Sequence, residues 1–295
     1  MIWFIVNRVA GNGKGCRVWK HVERILLEKQ IHYNVVFTEH PRHATQIARE
    51  LAKQEETSVV IAIGGDGTLH EVANGLAGSE IPLGSIPAGS GNDFARGLRI
   101  PKQSRQALEK VLSGQKRKID IVRIHDEVFI NAAGVGFDGQ VAKVTNNAKY
   151  KKWLNNLGLG HLCYVLSFFK VLVRYQPAEV QLVVDEQSHI FSNVWLVAVA
   201  NIPFYGGGMM ICPYAQSDDG LLDVCIVHGI SRWKLVTLLP RVFRGTHIYD
   251  PAVTTLTGRW MKIVSSKPLT AHGDGEVLGQ TPLELTIKQE GLYIV

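Results

Sequence analysis

The run Ile61-Ala62-Ile63-Gly64-Gly65-Asp66-Gly67-Thr68 places a carboxylate inside a glycine turn. Residues 59–63 form a short apolar run ending at the glycines, and Leu69, Val72, Ala73 and Leu76 follow at helical spacing. The turn is therefore expected between a strand end and a helix start. Amides without intrahelical partners and the positive end of the helix dipole favour an anion there, and glycines let a phosphate come close to the backbone. Asp66 would repel a polyphosphate unless a cation lay between them. The pattern thus points to ATP with a bridging magnesium ion, or to contact between Asp66 and the phosphoryl acceptor. The bland alternative is a tight turn in which Asp66 caps the following helix.

Five further turns carry chemically useful groups. The run from Asn7 and Arg8 to Lys14 and Gly15 offers glycine amides and a lysine after the first apolar run, although it matches neither the P-loop nor the dinucleotide fingerprint. Pro87-Ala88-Gly89-Ser90-Gly91-Asn92-Asp93-Phe94-Ala95-Arg96 adds Ser90 and Asn92 as hydrogen-bonding groups for phosphate or ribose, and Arg96 as a cation. Tyr205-Gly206-Gly207-Gly208-Met209 precedes Asp218-Asp219-Gly220-Leu221, where carboxylates and backbone carbonyls could serve a hard cation. His272-Gly273-Asp274-Gly275-Glu276 presents Glu276 as a general base for an attacking alcohol.

The elements that must position these turns fall into two rhythms. Up to residue 124, apolar runs at 2–6, 34–37, 59–63, 83–86 and 119–124 alternate with helical patterns at 18–27, 44–52, 69–76 and 107–112. This predicts a three-layer α/β domain whose mainly parallel sheet binds ligand beyond its C-terminal strand ends. Beyond 125, runs at 180–184, 194–200, 221–227, 260–264 and 283–287 are joined by turns, with helical patterns only near 154–173 and 233–243. This half is expected to be a mostly antiparallel β-sandwich with appended helices. The expected domains are 1–124, with 288–295 as a segment that could rejoin it, and 125–287, with a ligand cleft between them.

With 295 residues, 46% hydrophobic composition and a net charge of +6, the chain is long enough for two cores and suited to anionic partners. Cys16, Cys163, Cys212 and Cys225 form no ligand pattern, so neither a disulfide framework nor a zinc site is expected, and a reduced cytoplasmic setting is. The apolar start 1–6 lacks a basic leader and is read as a first strand. The stretch 157–173 is short for a membrane span and carries His161 and Lys170, so it is read as a buried or interfacial helix. Lys149, Lys151, Lys152 and Trp153 before it combine cations with an aromatic ring, as surfaces resting on anionic headgroups do.

Taken in order, these blocks, together with Asn131-Ala132-Ala133-Gly134-Val135-Gly136-Phe137-Asp138, resemble the diacylglycerol kinase-like lipid kinases of bacteria, relatives of the sphingosine and ceramide kinases, over nearly the whole chain. The resemblance implies an N-terminal ATP-binding α/β domain and a C-terminal β-rich lipid-substrate domain. It implies that Asn7, Arg8, Val9, Ala10, Gly11, Thr38, Gly64, Gly65, Asp66, Gly67, Thr68, Leu69, His70 and Ser90 contact ATP, and that Asp66 lies near the transferring phosphate. Glu276 would be the proton acceptor; Gln216 and Leu221 would give backbone carbonyls, and Asp219 its carboxylate, to Mg2+. Asp120 would join a wider acidic network. Arg8 stands where the family often has proline, and Ser90 where it often has threonine.

The implied activity is transfer of the ATP γ-phosphate to the hydroxyl of diacylglycerol or a related lipid alcohol. It would take place at an anionic membrane, as a cytoplasmic protein resting on its inner face, with stretch 157–173 as a wall for acyl chains. No nucleic acid is expected as a partner, and a homodimer is a candidate assembly. The rival readings are a soluble small-molecule kinase such as an NAD kinase, and a catalytically silent lipid-binding regulatory protein.

Overall fold

Short runs of β-branched, aliphatic and aromatic residues build the first sheet. In the computed structural model, which describes residues 1–148 and 160–295, they are β1 (Ile2–Val6), β2 (Tyr33–Phe37), β3 (Val59–Gly64) and β4 (Leu83–Pro87). They pair in parallel in the order β2-β1-β3-β4, with Val6 opposite both Phe37 and Ile63, and Ile63 opposite Ile86. Their connections are α1 (Ala10–Glu28), α2 (His43–Leu51) and α3 (Asp66–Leu76), followed by α4 (Asp93–Gly97), α5 (Ser104–Leu112) and β5 (Arg117–Ile124). In that strand order, right-handed crossovers put α1 on one face and α2 with α3 on the other. Accordingly α2 packs on α3, and α1 on α5. Phe4, Ile5, Ile61 and Ile63 are fully buried between the layers.

This first unit comprises Met1–Ile121, Glu127–Ile130 and Lys288–Val295. Its last piece is the end of β17 (Leu283–Ile294), which sets Ile294 parallel to Leu83 of β4. The short β6 (Glu127–Phe129) is tied to α3 through Asn74, whose Oδ1 accepts from the Val128 amide at 2.9 Å and whose Nδ2 donates to the Val128 carbonyl at 2.7 Å.

The second unit comprises Val122–Asp126 and Asn131–Ile287, and its strands pair antiparallel. They are β7 (Ala132–Gly136), β8 (Ala178–Val184), β9 (Gln187–Ala200), β10 (Phe204–Tyr205), β11 (Met209–Met210), β12 (Leu222–His228), β13 (Val253–Gly258), β14 (Trp260–Ser265), β15 (Thr270–Gly273) and β16 (Glu276–Gln280), with the start of β17. Strand β9 explains the sandwich. Its first half, with alternate exposed positions, pairs with β8 up to Val194; its second half is wholly buried and lies between β7 and β12. A strand covered on both sides loses its polar alternation, and Val194 to Ala200 is therefore a continuous apolar run.

Helices α6 (Phe137–Asn146), α7 (Gly160–Arg174) and α8 (Arg232–Val242) complete this unit. Around Trp195 they bring Phe137, Leu172, Leu235 and Leu238 into one apolar cluster. Helix α6 corrects the expectation that helical patterns beyond 125 occur only near 154–173 and 233–243. Gly139, Val141, Val144 and Thr145 weaken its helical signal, but Gly139 is required by packing: a Cβ there would lie 2.1 Å from the Thr270 carbonyl oxygen of β15. Lys149, Lys151, Lys152, Trp153 and the first residues of the 157–173 stretch lie outside the described residues.

Candidate functional site

Three turns of the first unit meet because β1, β3 and β4 are parallel neighbours whose C-terminal ends lie side by side. The Asn7 amide donates to Ile63 O at 3.0 Å and its Nδ2 to Thr68 Oγ1 at 3.0 Å, while the Ala88 amide donates to Gly64 O at 2.7 Å. Gly65 and Gly89 touch backbone to backbone: a Cβ on Gly89 would sit 2.4 Å from Gly65 Cα. Asn92 locks the third turn, its Oδ1 accepting from the Gly89 amide and its Nδ2 donating to the Gly89 carbonyl, both at 2.9 Å. Asp66 Oδ1 accepts from the Phe94 amide at 3.2 Å, so this carboxylate holds the start of α4, and the N-cap position of α3 belongs to Gly65.

The first residues of α1 are not helical. Gly11, Asn12 and Gly13 are left-handed, with φ of 56°, 58° and 79°. Gly11 also approaches the Ala88 carbonyl so closely that a Cβ would lie 2.2 Å from its oxygen. Gly67 has neither a positive φ, as Gly11 and Gly13 have, nor a close neighbour, as Gly11 and Gly89 have. It is exposed, and a Cβ there would meet nothing within 4 Å. The packing of the chain makes no demand for glycine at 67, which leaves an approaching ligand as a reason for it.

Placement of the other expected nucleotide contacts is mixed. Arg8, Val9 and Ser90 are exposed, with the Arg8 guanidinium 4.9 Å from the Phe37 ring centre. Ala10 is half-buried, and so is Thr38, whose amide donates to Val6 O at 3.0 Å. Leu69 and His70 are buried. Arg96 is ion-paired with Asp93 and donates to Gly91 O at 3.3 Å, which engages it within its own loop. Buried Asp120 accepts from the Glu290 amide at 2.8 Å.

The backbone contact at Gly89 gives a direct stability test. Gly89→Ala forces the two turns apart, and overpacking of this kind costs about 1–3 kcal/mol. Urea unfolding should show that loss, and an unchanged midpoint would show that the turns separate freely.

In the second unit, Glu276 opens β16 after a turn in which Asp274 and Gly275 have φ of 50° and 90°. It is exposed, and its carboxylate has no hydrogen-bond or ion-pair partner among the described residues. Its turn is nevertheless anchored. Asp274 Oδ1 accepts from the amides of Asn131 (3.0 Å) and Ala132 (3.2 Å), and the Asp274 amide donates to Ala132 O at 3.0 Å. Sequence reasoning assigns Asp274 no role; a carboxylate flanked by Gly273 and Gly275 is the only local signal of it.

Behind the turn, His272 Nε2 lies 3.5 Å from Asp138 Oδ2, and the Tyr205 ring stacks parallel to the imidazole with centres 6.3 Å apart. Gly134 makes room for this pair, since a Cβ there would fall 1.9 Å from Asp138 Oδ2. Burial, and then the charge of Asp138, pushes the phenols of Tyr175 and Tyr205 up and the Cys225 thiol up to about 12.

Gln216 and Asp219 are exposed and Leu221 half-buried, around a turn at Gly220 with φ of 74°. Asp219 Oδ1 accepts from the Leu221 amide at 3.0 Å. No group of three or more His, Cys, Asp or Glu among the described residues could hold a metal ion. A cation at this turn would therefore depend on backbone carbonyls beside a carboxylate, an all-oxygen donor set that fits magnesium or calcium and not zinc.

Asp223 lies just beyond. Burial, and then the charge of Asp219, raises its carboxyl from 3.8 to about 6. The folded group holds its proton more tightly than the unfolded one, so its contribution to stability is full below pH 3.8 and is lost as pH rises through about 6. Asp223→Asn should flatten that decline and gain about 1–2 kcal/mol near neutral pH, allowing for solvent screening. Urea midpoints compared at acid and neutral pH measure it; parallel curves for the two proteins would refute it.

Residues 1–124 match the family model of the diacylglycerol kinase catalytic domain, and residues 131–295 match that of the YegS C-terminal NAD kinase beta sandwich-like domain. YtlR of Bacillus subtilis (strain 168) is 32% identical over 303 residues, covering 99% of this chain and 98% of that one. The chain belongs to the diacylglycerol kinase-like lipid kinase family. Another relative of this family, the diacylglycerol kinase of Mycobacterium tuberculosis (strain H37Rv), is 33% identical over 245 residues, covering 81% of this chain and 77% of its own. A crystal structure from Bacillus anthracis str. Sterne shares the fold, with a TM-score of 0.82 at 23% identity over 100% of this chain and 94% of that one.

Proposed function

We propose that this member of the family transfers the γ-phosphate of ATP to the hydroxyl of diacylglycerol or a related lipid alcohol. The observation that carries the reading is the convergence of three glycine turns at adjacent parallel strand ends, with exposed Gly67 free of any packing demand. Amides of Gly64 to Thr68 and of the turn at Gly11 bind the phosphates, Asn7 and Thr68 order those turns, and Ser90, Arg8, Val9, Ala10 and Thr38 border the nucleotide. The helix dipole of α3 adds positive potential at the same place. Asp219, with the backbone carbonyls of Gln216 and Leu221, would hold a magnesium ion, which would supply positive charge for phosphate chemistry. Asp66 lies beside the transferring phosphate.

Glu276 takes the proton of the lipid hydroxyl as its oxygen attacks the γ-phosphorus, leaving a phosphomonoester and ADP. Asp274 keeps the Glu276 turn in one conformation, and positioning of this kind supplies much of the rate in phosphoryl transfer. The protein works as a cytoplasmic enzyme resting on the inner face of an anionic membrane. Among the described residues no helix is long and apolar enough to cross a membrane.

The test is an ATP-dependent transfer assay across diacylglycerol, sphingoid bases, ceramide, phosphatidylglycerol and polyprenols, with NAD as control. Phosphorylated lipid is the expected product; phosphorylation of NAD alone would overturn the proposal.

A further inference from the structure

Helix α7 is built to bury one side only. Cys163, Ser167, Val171 and Leu172 are turned inward, whereas Val165, Leu166, Phe169 and Val173 are 46%, 52%, 49% and 74% exposed. The four exposed positions are spaced i, i+1, i+4 and i+8, which puts them on one stripe of the helix. Exposed Lys170 flanks the stripe and exposed Arg174 ends the helix.

Helix α8 extends this face. Arg232 Nε donates to Leu172 O at 3.1 Å, and its NH2 group to Tyr175 O at 2.9 Å, so the start of α8 abuts the end of α7 beside Val173. The next residue, Trp233, is 79% exposed. A stripe of aliphatic and aromatic side chains ending in an exposed tryptophan is a face that water solvates poorly.

The charge around this face selects its partner. Neither helix contains an aspartate or glutamate, and together they carry Lys170, Arg174, Arg232, Lys234 and Arg241. Nearly buried Asp250 engages Lys234 at 2.8 Å and Arg241 at 2.6 Å, which ties α8 to the chain behind it and leaves Lys170 and Arg174 without an acidic partner among the described residues. A two-fold contact with a second copy would set cations against cations. Anionic headgroups meet the same cations favourably, while the hydrocarbon below them accepts the apolar stripe.

We propose that the outward face of α7 and the start of α8 dock the protein on an anionic lipid surface, with Phe169, Val173 and Trp233 entering the acyl boundary and Lys170 and Arg174 meeting the headgroups. This rests on the reading that the acceptor is a lipid, and it assigns the contact to one face. Tryptophan settles at the headgroup level because its ring is apolar and its N–H is polar.

Vesicle co-sedimentation without ATP tests the face independently of catalysis. Vesicles of phosphatidylglycerol with phosphatidylcholine should bind the protein, and vesicles of phosphatidylcholine alone should bind it far less. The double variant Phe169→Ser/Trp233→Ala should bind the anionic vesicles about tenfold or more weakly, and so should Lys170→Glu/Arg174→Glu. Both pairs are exposed, and the second leaves the apolar residues untouched, so a folding defect in one variant does not remove the test. Wild-type binding by either folded variant would overturn the proposal. Conversion of a dimer to a monomer with vesicle binding unchanged would also overturn it, by assigning the face to a second copy. Vesicle binding as expected, with no lipid phosphorylated by the wild type, would remove the kinase reading and leave the docking face standing.

Discussion

Glu276→Gln is expected to lower kcat for lipid phosphorylation by roughly 10²–10⁴-fold, the contribution of a well-placed general base. Glutamine has nearly the same shape but cannot accept the hydroxyl proton. The turn that carries the residue is fixed by the carboxylate of Asp274 and the backbone of Ala132, neither of which the substitution touches. Glu276 itself is exposed, so exchanging it leaves no buried group without a partner. Fold and ATP affinity should therefore be retained, and isothermal titration with ATP beside initial-rate kinetics separates the two effects. Turnover equal to wild type would remove Glu276 as the base. Equal loss of kcat and of ATP binding would instead show that the residue serves the nucleotide.

Local and long-range features differ in how far the residues alone disclose them. The glycine turns could be read directly, because a strand that ends in glycine and is followed by helical spacing is a local signal. The parallel sheet of the first unit followed from the same alternation. Position 274 could not be understood that way: its carboxylate is useful because it binds amides at Asn131 and Ala132, and the first of these is 143 residues distant in the chain. Gly139 misled for a related reason, lowering the helical signal of α6 to admit the backbone of β15. Asp66 was legible as a helix cap, a cation partner or a contact of the phosphoryl acceptor, but its acceptance of the Phe94 amide, which joins two turns 28 residues apart, has no local signal. The apolar stretch 157–173 could be read as a buried or interfacial helix, but its residues alone could not say that Val165, Leu166, Phe169 and Val173 are the exposed ones.

Gly67→Ala should separate stability from ligand binding with effects of opposite sign. Residue 67 lies in the first turn of α3, where alanine favours the helix over glycine by up to about 1 kcal/mol. A Cβ there meets no atom of the protein, so that gain is not offset by a clash. The variant is expected to unfold at an equal or slightly higher urea concentration than the wild type. If phosphate approaches the amides of this turn, the same methyl group occupies the space of its oxygens, and ATP affinity should fall by about tenfold or more, each tenfold being about 1.4 kcal/mol. Gly89→Ala provides the contrast, because its methyl strikes Gly65 and weakens the fold before any ligand arrives. Isothermal titration with ATP and urea unfolding, run on both variants, resolve the two mechanisms. Wild-type ATP affinity in Gly67→Ala would place the phosphates elsewhere and detach the glycine turn of β3 and α3 from the nucleotide.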